Sequence, residues 1–97
     1  MNNNEIETLP EEFTKAKFTY TQIDREGDIA VYERMEEGLT MPLLDYECII
    51  IITTDGKEYY PGASNWGSKG WTYPEYEEAL IKFEELKAGN LHNKHTK

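Results

Sequence analysis

From Tyr59 to Leu86 the chain reads YYPGASNWGSKGWTYPEYEEALIKFEEL, an aromatic, glycine-punctuated stretch running into one amphipathic helix. Tyr76, Ala79, Leu80, Phe83 and Leu86 recur at spacings of three and four, a stripe that must be covered by another apolar layer. Glu77, Glu78, Lys82, Glu84 and Glu85 fall on the other side of the same helix. The helix is expected to begin at or next to Pro74, since a proline in the first turn removes no useful donor. Glu75, Glu77 and Glu78 there complement the positive end of the helix dipole. Gly89 is the expected C-terminal stop.

The layer that this stripe needs is supplied upstream. Cys48-Ile49-Ile50-Ile51-Ile52 is a continuous apolar run, β-branched from Ile49 on, of the kind found where both faces of a strand are covered, so a strand beginning near Leu43 is placed centrally in a sheet. Phe18 to Asp24 and Asp28 to Arg34 read as an antiparallel hairpin, with Arg25-Glu26-Gly27 as a three-residue loop that sets Ile23 opposite Ile29 and Tyr20 opposite Tyr32. Met35 to Pro42 reads as a loop. Asp55-Gly56 marks a tight turn, after which Glu58 to Tyr60 returns as a short fourth strand ended by Pro61. Gly62 to Thr72 is expected to be a compact loop, its glycines turning the backbone and its indoles supplying burial.

At the other end, Thr8-Leu9-Pro10-Glu11 has the spacing of a capping box and suggests a short helical turn to about Ala16. Met1 to Glu7 and Asn90 to Lys97 are polar and read as mobile ends. The fold class expected is therefore α+β: an antiparallel sheet of three to four strands with one C-terminal helix packed on a face. Ninety-seven residues make a single domain, residues 1–97, with an ordered core over about residues 13–88.

Charge narrows the function classes. Nineteen acidic against ten basic residues give a net charge of −9, which opposes the counterion release that supplies most non-specific affinity for nucleic acid. An acidic surface suits solubility, or a basic partner such as a protein whose groove normally holds nucleic acid. The start, MNNNEIETLPEE, has neither a basic nor an apolar leader segment, and no apolar run is long enough for a bilayer, so a cytoplasmic, non-membrane protein is expected.

No catalytic constellation stands out. Cys48 is the single cysteine, lies in an apolar strand, and rules out an intramolecular disulfide. His92 and His95 sit in the terminal tail, where neither precise positioning for catalysis nor a third metal ligand is provided. Gly67-Ser68-Lys69-Gly70 lacks the spacing and preceding strand of a phosphate-binding loop. The chain is thus read as a non-enzyme without cofactor or metal. Trp66 and Trp71 are read first as plugs that cover the side of the Ile-rich strand opposite the helix, because a small domain needs its aromatics for the core. The candidate partner-binding residues are Asn65, Trp66, Lys69 and Trp71 in the loop and Glu77, Glu78, Glu84 and Glu85 on the helix.

GDIAVYER in the early hairpin and YPGASNWGSKGWTYPEYEEALIKF later resemble a group of small uncharacterised bacteriophage and prophage proteins with a W-G-x-x-G-W-T-Y loop leading into a C-terminal helix. The resemblance is carried by Gly27, Asp28, Ala30, Tyr32, Pro61, Ser64, Trp66, Gly67, Gly70, Trp71, Tyr73, Glu78, Ala79 and Phe83, and covers about Phe18 to Leu86. The chain departs from the pattern in Ala63 before Ser64 and in a longer polar tail. The resemblance implies a mobile-element accessory protein that binds a host or phage protein; the net charge of −9 motivates a sharper variant, an acidic mimic aimed at a nucleic-acid-binding or defence protein. A virion assembly role or a small enzyme subunit are the alternatives.

Overall fold

The computed structural model describes residues 6–38, 40–41 and 43–96, with side chains described as far as residue 89. The expected behaviour of Met1 to Glu5, and the side chains of His92 and His95, lie outside the described residues. The fold is α+β. Five antiparallel strands, β1 (Glu12–Lys15), β2 (Phe18–Glu26), β3 (Ile29–Glu36), β4 (Leu44–Ile50) and β7 (Gly70–Tyr73), form a sheet in the order β1-β2-β3-β4-β7. A separate ribbon pairs β5 (Ile52–Thr54) with β6 (Lys57–Tyr59), and one helix, α1 (Tyr76–Thr96), follows β7. It is not long and apolar enough to cross a membrane.

The extra strands come from two segments expected to be otherwise. Residues 12–15 are a strand rather than a helical turn: Phe13 pairs with Tyr20, their rings stack at 4.7 Å, and Ala16 takes a positive φ of 57° in the two-residue turn to Phe18. Docking onto Tyr20 outweighs the capping-box spacing, because a helical turn with three apolar residues has little to hold it. The second is Gly70–Tyr73. It pairs with β4 through Cys48 opposite Trp71 and Tyr46 opposite Tyr73, so the aromatic loop ends in an edge strand.

The β2–β3 hairpin differs in register from the expected one. Its loop is the two residues Gly27 and Asp28, with Glu26 opposite Ile29 and a positive φ at Gly27. A bulge lies between Gln22 and Asp24, so Tyr20 faces Arg34, Gln22 faces Tyr32, and Ile23 is left unpaired and 40% exposed. An extra residue in a strand reverses the faces of everything beyond it. Here it turns Asp24 toward the helix, where Tyr76 donates a 2.7 Å hydrogen bond to it, and turns Arg25 to the opposite face.

The two faces hold two separate cores. Ile29, Val31 and Cys48 meet Ala79 and Phe83 of α1, flanked by Tyr46, Tyr73, Tyr76, Leu80 and Leu86. The expected helical stripe is thus the buried one. Burial pushes the Cys48 thiol up to about 12, which makes it an inert core residue. Gly89 does not end the helix, which continues to Thr96; glycine permits a left-handed stop but does not compel one.

On the other face Leu9, Tyr20, Ala30, Tyr32, Ile49 and Ile51 pack with Phe13, Phe18 and Tyr60. Ile49 and Ile51 both pack in this core, while Cys48 before them faces the helix; Ile49 lies in β4, Ile51 leaves the sheet, and Ile52 opens the ribbon. Asp55 and Gly56 both take positive φ at its tip, as a tight Asp-Gly turn requires.

The ribbon is fastened by Glu58, which accepts two hydrogen bonds from Arg25, at 2.9 and 2.7 Å, and one from the Leu9 N–H at 2.9 Å. These bonds, the Arg25 one foremost, hold the Glu58 carboxyl below its ordinary 4.5. A depressed carboxyl contributes stability that is complete above its unfolded value and is lost as pH falls through the folded one. Stability is therefore expected to decline as pH falls below about 4.5, and Glu58→Gln to flatten part of that decline in urea titrations at a series of pH values.

Candidate functional site

Two surfaces combine chemistry with access, and they lie on opposite sides of the sheet. The first is the outward face of α1. Glu77, Glu78, Glu84 and Glu85 are exposed, and Ile81, at 61% exposure, stands three or four residues from each of them. Residues so spaced are neighbours on a helix, which makes Ile81 an apolar centre within a ring of carboxylates. Lys82 does not neutralise them by any described ion pair: its ammonium lies 4.2 Å from the centre of the Trp71 ring. Lys87 pairs with Glu84 at 3.2 Å and with Glu26 at 3.3 Å. A shallow groove of about 280 Å³, lined by Tyr73, Glu78, Ile81, Lys82 and Glu85, runs along this face beside β7.

The second is a cleft of about 410 Å³ on the open face, between the sheet and the segment that follows β6. Its floor is Glu47, 4% exposed and the one charged residue among the buried ones described. Tyr60 donates a 2.7 Å hydrogen bond to Glu47 Oε1, while Thr72 donates one of 3.1 Å to Oε2. Arg34 Nη1 approaches Oε2 at 3.3 Å, and its Nε and Nη2 form a bidentate pair with Asp45 at 2.9 and 2.8 Å. Register explains the gathering: Arg34 faces Asp45, Tyr32 faces Glu47 and Glu47 faces Thr72, all on one side of neighbouring strands.

Burial pushes the Tyr60 phenol far above its ordinary 10, and the adjacent Glu47 charge adds to the effect. The Asp45 hydrogen bond holds the Arg34 guanidinium charged still more firmly than usual. Trp66 walls the cleft, donating from Nε1 to Thr72 Oγ1 at 3.0 Å and stacking on Tyr60 at 6.4 Å.

Gly70 is what lets Trp66 lie there. A Cβ at this position would sit 2.4 Å from Trp66 Cζ3. Because Trp66 is 36% exposed, it can swing outward rather than force the backbone apart. Gly70→Ala is therefore expected to release the indole, breaking its bond to Thr72, at a cost of about 1 kcal/mol. Displacement of the Trp66 indole N–H resonance in NMR, with that of Trp71 unchanged, would report it.

The expected site residues do not converge. Trp66 borders the cleft. Asn65 lies in the 3₁₀ turn Ala63–Asn65, where its carbonyl accepts from the N–H groups of Ser68 and Lys69. Lys69 is exposed. Trp71 is on the helix side, opposite Cys48, so the two indoles do not share the task of covering one face. The reason is the two-residue period of β7, which sends Trp71 to the helix and Thr72 to the cleft. The four glutamates of α1 do share one surface.

Sequence reading missed Arg34, Glu47, Tyr60 and Thr72 as a group. The one signal was weak: a Glu inside an apolar strand, one residue before Cys48. Among the described residues no three His, Cys, Asp or Glu side chains are placed to hold a metal ion. Comparisons with protein-family models, curated proteins and solved structures return no match.

Proposed function

We propose that this chain is a small accessory protein of phage or prophage type, resident in the host cytoplasm, that works as a non-enzymatic protein-binding module. Its working surface is the outward face of α1, directed at a basic surface of a host or phage protein. The observation behind this reading is Ile81, an exposed aliphatic side chain at the centre of Glu77, Glu78, Glu84 and Glu85. Interfaces gain affinity from a central apolar anchor and partner choice from the charged rim around it. The sharper form of the reading is mimicry of nucleic acid, in which those carboxylates occupy the basic groove of a nucleic-acid-processing or defence protein.

Immobilised protein passed over a bacterial lysate is expected to retain a partner in stoichiometric amount. A variant with all four glutamates changed to glutamine should retain it at least about tenfold less, the effect of roughly 1.4 kcal/mol. Equal retention by both proteins would remove this surface from consideration. A small enzyme subunit is the competing reading, favoured by the Thr72 hydroxyl bonded to the Glu47 carboxylate within a cleft. Covalent trapping of Thr72 by an electrophilic probe, abolished in Glu47→Gln, would favour it.

A further inference from the structure

The geometry points to the open-face cleft as a receptor for a planar cation, the guanidinium of an arginine side chain. It lies on the opposite side of the sheet from the α1 surface and does not depend on that reading. Four observations lead to this ligand class.

Charge comes first. Asp45, beside the cleft, offsets Arg34 through their bidentate pair, so the charges left to the cleft are the Glu47 carboxylate at its floor and the Lys15 ammonium at its border. Hydrogen-bond capacity comes second. A carboxylate has about four acceptor positions, and Glu47 receives Tyr60 on Oε1 with Thr72 and Arg34 on Oε2. Oε1 therefore keeps a position for an incoming N–H. Third, Arg34 is held by Asp45 through two bonds of 2.9 and 2.8 Å and reaches Glu47 by a single approach of 3.3 Å. An incoming cation can share Oε2, or displace that one approach, while Arg34 stays clamped. Asp45 thus acts as a positioning residue that limits Arg34 to a single approach to the Glu47 carboxylate.

The fourth is the wall. Tyr20, Tyr60 and Trp66 line the cleft, and aromatic rings favour cations over anions. Guanidinium suits such a site better than ammonium, being planar and more weakly hydrated. An anion would meet the Glu47 carboxylate at the floor and a net charge of −9 around it. The opposing feature is Lys15, which borders the cleft and makes no ion pair among the described residues. It provides the most informative variant, because its removal must help a cation and harm an anion.

The test is an NMR titration of the full chain with N-acetylarginine N-methylamide, followed at the two indole N–H resonances. Trp66, bonded to Thr72, reports the cleft, and Trp71, on the helix side, serves as the internal reference. The expected result is a saturable shift of Trp66 alone, with a dissociation constant on the order of millimolar, as suits one side chain. The glutamate analogue should produce no such shift. Lys15→Ala should tighten arginine binding about two- to fivefold, the size of an exposed charge interaction. Glu47→Gln, checked for folding, should weaken it at least about tenfold. Weaker arginine binding in Lys15→Ala, a larger response to the glutamate analogue, or no Trp66 response at all would overturn the assignment. Lys15 is exposed, so its variant decides the matter even if Glu47→Gln fails to fold.

Discussion

Replacing Tyr32 by alanine is expected to lower the unfolding free energy by about 3–5 kcal/mol, measured by urea denaturation followed by tryptophan fluorescence. Tyr32 is fully buried in β3, the middle strand of the sheet, with its ring edge-on to Phe13 at 5.7 Å and to Tyr60 at 5.3 Å. Its hydroxyl donates to the Pro10 carbonyl at 2.8 Å and accepts from Gln22 at 2.9 Å, so it also fastens the N-terminal segment over the open face. A domain of this size has only roughly 5–15 kcal/mol in hand. Tyr32→Phe keeps the ring and removes the hydroxyl, and should cost about 1 kcal/mol. A loss below about 1 kcal/mol in the alanine variant would contradict the position of Tyr32 at the centre of this core.

The second large effect is expected at the cleft floor. Arg34→Ala leaves Glu47 buried without its cation and Asp45 beside it without a partner, and should cost about 3 kcal/mol. The guanidinium also lies 4.2 Å from the centre of the Phe18 ring, a cation–π attraction that alanine removes as well. Glu47→Gln keeps one acceptor oxygen but sets an amide among groups that already donate, and should cost about 1–2 kcal/mol. Because both residues belong to one network, the double variant should lose at least about 0.5 kcal/mol less than the sum of the singles. Strict additivity would mean that the 3.3 Å approach between them contributes nothing.

The helix was legible because five apolar residues recur at helical spacing, and the isoleucine strand because its run of consecutive apolar residues is continuous, although β4 ends at Ile50 within that run. The Asp-Gly turn was legible because its chemistry is specific. β1 escaped because Ala16 is not a turn residue by type; its positive φ is held by the pairing of β1 along β2 together with the stacking of Phe13 on Tyr20. β7 escaped because glycines at 67 and 70 suggest loop, whereas Gly70 serves in a strand to make room for Trp66. The hairpin turn lies at Gly27-Asp28 rather than Arg25-Gly27, and the bulge at Ile23, which has no sequence signature, shifts the register again beyond it, so together they displaced every expected cross-strand pair. The cleft was illegible for a related reason. Arg34, Glu47, Tyr60 and Thr72 come from three strands and a loop, and only register brings them together. The glutamates of α1 were legible as a set because one helix carries them all.

Those glutamates and Ile81 are where the functional reading is most exposed to refutation. Of the four carboxylates only Glu84 has a described lysine partner, Lys87, so the face is one that a basic partner can neutralise, and such attraction is screened over about 10 Å at 0.1 M salt and about 3 Å at 1 M. The most direct measurement is the affinity of the retained partner as a function of salt, for the wild-type chain and for Ile81→Asp. The expected result is a steep fall in affinity with salt for the wild type and weak binding by the variant at every salt concentration. An affinity indifferent to salt, or unchanged in Ile81→Asp, would contradict an acidic binding face built on α1.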